Sequence, residues 1–126
     1  MTEKHLKPIV KWSGGKGDEI KYIKKYIPKF TTYIEPFVGG GALYFYLKPK
    51  KAVINDIHPE LITLYEEIAK GHHTKILKFM ENLPNDEETY YDVRDNMDTE
   101  TDLKTAKQFY YLRKTCYRGM LRYNKN

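Results

Sequence analysis

The chain has few of the residues that mark secreted, membrane or metal-binding proteins. It contains one cysteine, Cys116, so an internal disulfide cannot form. No apolar run approaches the length of a signal peptide or a membrane span. His58, His72 and His73 have no cysteine or carboxylate at the spacing of metal ligands, so we expect no metal. These absences favour a metal-free protein in the cytoplasm. The length of 126 residues suffices for one domain with a modest core.

Two short segments have the pattern of consecutive strands in an α/β sheet. The first, at 33–37, leads into three glycines at 39–41, and the second, at 52–55, leads into Asp56. We expect the glycines to take positive φ and to let the backbone come close to a ligand. An aspartate after the second strand can accept hydrogen bonds from both ribose hydroxyls. The pattern predicts a nucleoside site without saying which nucleoside.

Two common phosphate-binding fingerprints fit this glycine turn badly. The dinucleotide fingerprint needs a further glycine where the chain has Tyr44, and the P-loop needs serine or threonine where it has Gly17. Before the turn, Pro36 and Phe37 offer apolar surface in place of further amide donors. The turn therefore suits a cofactor without a pyrophosphate, and S-adenosylmethionine is such a cofactor.

The whole chain has a net charge of +5, and within its second half the charges are distributed unevenly. Residues 81–102 carry nine carboxylates and one base, whereas residues 103–126 carry seven bases and no acid. The basic segment also contains the rings of Phe109, Tyr110, Tyr111, Tyr117 and Tyr123. Interleaved cations and rings suit contacts with DNA phosphates and bases. The alternative is a solvated basic helix whose rings fill the core.

Hydrophobic periodicity predicts an order of elements that changes along the chain. Helices are predicted at 18–27, from the glycines to 47, and at 59–69, 75–83, 87–97 and 101–117. The stripe Leu61, Leu64, Tyr65 and Ile68 should be the buried side of the helix that starts at Pro59. After Gly71, alternation of strand and helix gives way to helices alone, which predicts a domain boundary there.

Four segments stand out when the chain is read from end to end. They are Lys11-Trp-Ser-Gly-Gly-Lys16, Glu35-Pro-Phe-Val-Gly-Gly-Gly41, Asn55-Asp-Ile-His-Pro-Glu-Leu61 and Tyr117-Arg-Gly-Met-Leu-Arg-Tyr-Asn124. In this order they resemble the motifs of the Dam-type DNA adenine-N6 methyltransferases. The resemblance implies an α/β fold, with part of a Rossmann-like S-adenosylmethionine-dependent domain at 1–70. A helical target-recognition insertion that binds double-stranded DNA would follow at 71–126.

The resemblance also implies roles for individual residues. Asp56 would hold the ribose hydroxyls, Lys16 the methionine carboxylate, and Ile57 would pack against adenine. The cofactor residues so implied are Trp12, Lys16, Glu35, Pro36, Phe37, Gly39, Gly41, Asp56 and Ile57, and the DNA-binding ones are Tyr117, Arg118, Arg122 and Asn124. The structural alternatives are a helix cap for Asp56, a tryptophan that covers the core, and an ordinary tight turn.

The catalytic tetrapeptide of that family, Asp-Pro-Pro-Tyr, is absent, and no Pro-Pro occurs in the chain. We therefore expect no catalytic residue here, and a truncated or split form that is inactive unless a second polypeptide completes it. The complete enzyme would transfer the methyl group of S-adenosylmethionine to N6 of adenine in duplex DNA, in a bacterial or phage-infected cell. The alternatives are a non-catalytic module that binds S-adenosylmethionine or DNA, and an unrelated nucleotide-binding enzyme.

Replacing Arg122 by alanine should lower the affinity for a specific duplex by roughly 1–3 kcal/mol, because an arginine fork can bind O6 and N7 of guanine together. Titrations against specific and random duplexes would measure the effect. Equal losses on the two duplexes would exclude base reading by Arg122.

Overall fold

The computed structural model describes residues 6–10 and 19–115, which fall into two compact units. The first unit ends at Ile57 and the second begins at His58. Within the described residues, the first unit contains a two-stranded parallel sheet and the second contains only helices. The expected mixture of helix and strand is confirmed at this level.

The first helix among the described residues of the first unit is short. Helix α1 (Ile20–Ile23) continues into one 3-10 turn (Lys24–Tyr26), which is shorter than the predicted helix at 18–27. The backbone of Ile27 is extended, with φ −83° and ψ 119°. A residue before proline is pushed out of the helical region, so Pro28 ends the helix one residue earlier than the periodicity indicates.

The sheet consists of β1 (Tyr33–Glu35) and β2 (Ala52–Ile54), joined by helix α2 (Ala42–Leu47). The strands are parallel, with Ile34 opposite Val53, and both of these side chains are exposed. Strand β1 is two residues shorter than predicted. Its ladder ends at proline, which has no N–H to donate.

The second unit is a group of four helices within the described residues. They are α3 (Pro59–Ala69), α4 (His73–Glu81), α5 (Glu87–Asp95) and α6 (Asp102–Thr115). Helix α6 packs against each of the other three. None of the helices in the described part of the chain is long and apolar enough to cross a membrane.

Local residues explain where these helices begin. Pro59 occupies the first turn of α3, as predicted. The side chain of Asp86 caps α5 by accepting a hydrogen bond from the Thr89 N–H at 2.8 Å. Helices α4 and α5 each end two residues earlier than predicted, at Glu81 and Asp95. The domain boundary predicted near Gly71 stays a prediction.

The core of the second unit is built on the apolar side of α6. Its fully buried residues include Leu61 and Leu64 of α3 and Ile76 of α4. Phe109, Tyr110 and Tyr111 are also buried, so these three rings fill the core and are not available to stack on DNA bases. The Tyr111 hydroxyl donates to the Pro84 carbonyl at 2.6 Å, which ties α6 to the loop before α5.

A buried carboxylate on α3 is not indicated by the sequence. Glu67 is only 3% exposed, while Ile68 of the predicted stripe is only half-buried. One carboxylate oxygen lies 2.7 Å from Nδ1 of His72, and the other accepts from Nζ of Lys70 at 3.0 Å. The hydrogen bond with His72, and then that with Lys70, lowers the pKa of Glu67 despite its burial.

Because the folded pKa of Glu67 is lowered, its contribution to stability is complete above its usual pKa of 4.5 and is lost as pH falls through the folded value. Glu67→Gln should therefore flatten the dependence of the unfolding free energy on pH in that acidic range. At pH 7 the change should cost about 1 kcal/mol, since charge-assisted hydrogen bonds become neutral ones. Urea unfolding at a series of pH values measures both effects.

The matched control is Glu66→Gln, which changes an exposed carboxylate on the same helix. It should leave the acid slope close to that of the wild type. An unchanged slope in Glu67→Gln would contradict the assignment.

Candidate functional site

The turn after β1 depends on two glycines in the left-handed region. Gly39 has φ 52° and Gly41 has φ 74°, as the sequence predicts, whereas Gly40, which the structure also describes, does not take positive φ. The Gly41 N–H donates to the Val38 carbonyl at 2.8 Å, and the Gly41 carbonyl accepts from the Phe45 N–H at 2.8 Å. The turn therefore leads directly into α2.

A side-chain hydrogen bond ties this turn to the end of β2. The Gly39 N–H donates to Oδ2 of Asp56 at 2.9 Å. Next to it, the Val38 N–H donates to the Asn55 carbonyl at 2.8 Å, and the Asn55 N–H donates to the Glu35 carbonyl at 2.9 Å. The structure thus brings together the glycine turn and the carboxylate, which follow the carboxyl ends of adjacent parallel strands.

The alternative role of Asp56 as a helix cap is not what the structure shows. The N-cap residue of α3 is His58, and its side chain makes no capping hydrogen bond. The carboxylate of Asp56 instead contacts the turn, where its negative charge faces a backbone N–H. Such an arrangement fixes the position of the carboxylate at the end of the sheet.

Glu35, the last residue of β1, is held by a neighbour that sequence reasoning missed. The Tyr33 hydroxyl donates a hydrogen bond to Oε1 of Glu35. Burial, and then this hydrogen bond, raise the pKa of Tyr33, so the hydroxyl remains a donor at neutral pH. The sequence does contain a signal for this contact, because Tyr33 and Glu35 are two residues apart on a strand and therefore lie on the same face. The Tyr33 ring lies 6.1 Å from the ring of Tyr44, which helps to fix it.

Exposed apolar side chains lie beside this contact in the sequence. Phe37, which precedes the glycines, is 74% exposed, and Ile57, which follows Asp56, is 91% exposed. Pro36 is exposed as well. The end of the sheet therefore combines a carboxylate, backbone at a tight turn and accessible apolar surface.

The structure describes seven of the nine expected cofactor residues. All seven lie at the carboxyl end of β1, in the turn that follows β1, or directly after β2. These are Glu35, Pro36, Phe37, Gly39, Gly41, Asp56 and Ile57. The remaining two, Trp12 and Lys16, lie outside the described residues, as do Tyr117, Arg118, Arg122 and Asn124. Within 6–10 and 19–115, no three side chains of histidine, cysteine, aspartate or glutamate are grouped as metal ligands.

Comparison with known proteins decides the family. The model of the D12 class N6 adenine-specific DNA methyltransferases matches residues 12–126. The chain belongs to this family. The resemblance drawn from the four sequence motifs is therefore confirmed.

Several curated relatives of this chain are named as methyltransferases or as a DNA adenine methylase. It is 52% identical over 124 residues to the type II methyltransferase M.CviBI of Paramecium bursaria Chlorella virus NC1A, covering 96% of this chain and 47% of that protein. It is 35% identical to the type II methyltransferase M.MjaIII of Methanocaldococcus jannaschii, covering 95% and 49%. It is also 35% identical to the retron Ec67 DNA adenine methylase of Escherichia coli, covering 96% and 44%. The chain spans about half the length of these relatives.

Gly41→Ala should lower the free energy of unfolding by about 1–3 kcal/mol, because it puts a side chain on a left-handed residue. The added Cβ would also lie 2.9 Å from Cε2 of Phe45, so the ring must shift. Chemical unfolding followed by circular dichroism measures the loss.

Gly71→Ala is the matched control, since Gly71 has φ 91° but nothing lies within 4 Å of an added Cβ. It isolates the cost of the backbone conformation. A loss no larger in Gly41→Ala than in Gly71→Ala would show that close packing against Phe45 does not require this glycine.

Proposed function

We propose that this chain binds S-adenosylmethionine at the turn after β1 and the end of β2, as part of a DNA adenine-N6 methyltransferase. The observation that carries the proposal is the 2.9 Å hydrogen bond between the Gly39 N–H and Oδ2 of Asp56. It fixes a carboxylate beside a glycine turn at the carboxyl ends of parallel strands, where α/β sheets bind their ligands. Membership of the D12 family supports a methyl donor as that ligand.

The residues around this contact suit a nucleoside that carries an amino-acid tail. A carboxylate has several acceptor sites, so Asp56 can bind ribose hydroxyls in addition to the turn. The exposed side chain of Ile57 provides an apolar surface for the adenine ring. Bound there, S-adenosylmethionine supplies an electrophilic methyl group.

The opposite end of the cofactor would meet the residues before the glycine turn. Pro36 and the exposed ring of Phe37 provide apolar surface for the methionyl chain. Glu35 is placed to attract the cofactor's ammonium group. The Tyr33 hydroxyl holds the Glu35 carboxylate in one orientation. Trp12 and Lys16 are further proposed contacts, with Lys16 at the cofactor's carboxylate.

The acceptor that we propose is the exocyclic N6 amine of adenine in duplex DNA, which the family's description and its relatives' names support. The target base has to leave the stack to be reached. We propose residues 1–70 as part of a Rossmann-like cofactor domain and residues 71–126 as a helical target-recognition region. In that region Tyr117, Arg118, Arg122 and Asn124 contact the DNA. A second polypeptide that completes the fold stays a prediction.

Asp56→Ala should weaken binding of S-adenosylmethionine by at least about tenfold, because hydrogen bonds to a charged group contribute about 1.5–3 kcal/mol. Isothermal titration calorimetry of the 126-residue chain measures the affinity. Asp56→Asn retains an oxygen for the Gly39 N–H and should keep the turn while still losing cofactor affinity.

Asp95→Ala is the control, because it removes the same charge from the exposed surface of α5. It should bind as the wild type does. Wild-type affinity in Asp56→Ala, or a folded wild-type chain that binds NAD and not S-adenosylmethionine, would contradict the proposal.

A further inference from the structure

The first unit has a concentration of positive charge that is separate from the basic segment at 103–126. Residues 19–56 contain seven lysines and three carboxylates, Glu19, Glu35 and Asp56. The lysines are Lys21, Lys24, Lys25, Lys29, Lys48, Lys50 and Lys51, and all of them are exposed. A stretch with this imbalance carries a net positive charge, which attracts polyanions.

Four of these lysines lie on two segments that meet at the amino end of the sheet. One segment leads into β1, and the other, at 48–51, connects α2 to β2. The segments are in contact because the Tyr33 N–H donates to the Lys51 carbonyl at 2.9 Å. The ring of Phe30 also lies 6.1 Å from that of Tyr33. We name Lys29, Lys48, Lys50 and Lys51 the amino-edge cluster.

The backbone of Lys48 has a conformation that is uncommon for a residue other than glycine. Lys48 has φ 49° and is the one non-glycine residue with positive φ among the described residues. It ends α2 in the left-handed conformation, with its N–H bonded to the Tyr44 carbonyl at 3.0 Å. Glycine is the usual residue at such a helix end, because a Cβ is disfavoured there.

Helix α1 and its 3-10 turn carry further lysines beside exposed aromatic rings. Nζ of Lys21 lies 5.1 Å from the centre of the Tyr22 ring, and Nζ of Lys25 lies 5.3 Å from that of Tyr26. Both tyrosines are highly exposed, at 62% and 76%. Cations next to accessible rings suit a nucleic-acid backbone, where phosphates alternate with sugars and bases.

We propose that the amino-edge cluster, together with the lysine–tyrosine pairs of residues 21–26, binds the phosphate backbone of duplex DNA without regard to sequence. The cluster lies at the amino end of the strands, whereas the Gly39–Asp56 contact lies at their carboxyl end. It is therefore distinct from the proposed cofactor site. Taking DNA as the polyanion rests on the proposed function. An anionic membrane fits less well, because α1 has only four residues and offers no continuous apolar face to insert.

Such a surface adds affinity through counterion release and none through base reading. Each phosphate neutralised by a lysine contributes about 0.9 to the slope of log affinity against log salt concentration. The same contacts let a protein slide along DNA between its specific sites. The cluster would thus hold the protein on DNA that contains no target sequence.

The test measures binding of the 126-residue chain to a labelled random-sequence duplex by fluorescence anisotropy, over a range of salt concentrations. In Lys50→Glu/Lys51→Glu we expect about a tenfold or greater loss at low salt, and a salt slope smaller by about two. Lys75→Glu/Lys78→Glu changes two exposed lysines of α4 by the same charge and should lose much less. Lys48→Gly removes one cation and relieves the left-handed backbone, so it should weaken binding without lowering the unfolding midpoint.

Equal losses in the two double variants would overturn the proposal, since they would show an effect of net charge alone. So would a wild-type chain that does not bind the duplex, or one that binds phosphatidylserine vesicles in its place. Circular dichroism verifies that each variant is folded. Titration of the cofactor separates the two proposals, because Lys50→Glu/Lys51→Glu should bind S-adenosylmethionine as the wild type does. If neither the wild type nor any variant binds S-adenosylmethionine, while the DNA titrations give the expected result, only the proposed function is contradicted.

Discussion

The parallel pairing of β1 with β2 determines where every described residue of the candidate site lies. Because parallel strands have their carboxyl ends on the same side, the turn after the first strand and the aspartate after the second become neighbours. The hydrogen bonds of Asn55 with Glu35 and Val38 extend this pairing beyond the strands and set the distance at which Gly39 meets Asp56. A shift of one residue would turn each side chain to the other face and separate the turn from its carboxylate.

The same pairing gives the small sheet two chemically different ends. At the carboxyl end are Asp56, Glu35 and exposed apolar residues, whereas lysines collect at the amino end. The second unit depends on a different element, since α6 supplies the side chains on which the other helices pack. The aromatic rings of α6 are buried in that core, so the rings and the cations of α6 have separate roles. The buried rings stabilise the fold, whereas the exposed Lys104 pairs with Asp98 at 3.0 Å.

Much of this could be predicted from the sequence, and the failures have physical causes. Helix α3 was predicted at its observed bounds because proline marks its start and its apolar stripe is regular. The predicted strands were too long at their carboxyl ends, and in β1 the reason is that proline stops a ladder that side-chain alternation would continue. Glu67 can be buried because the nearby Lys70 and His72 satisfy its charge, and hydrophobic periodicity does not register such polar partners. The amino-edge cluster was missed because its two segments are far apart in sequence, and a search for contiguous charge does not join them.

The shortness of the strands has a thermodynamic consequence. With three residues in each strand, the pairing of β1 and β2 involves few ladder bonds, and the Gly39–Asp56 bond is one of the ties beyond them. A ligand that contacts both strand ends adds its binding free energy to the cohesion of the sheet, since it binds only where the two ends are together. Occupancy and folding of this unit are therefore coupled equilibria. The local concentration of the ligand would regulate how often this sheet opens, and with it the exposure of the unit to proteases.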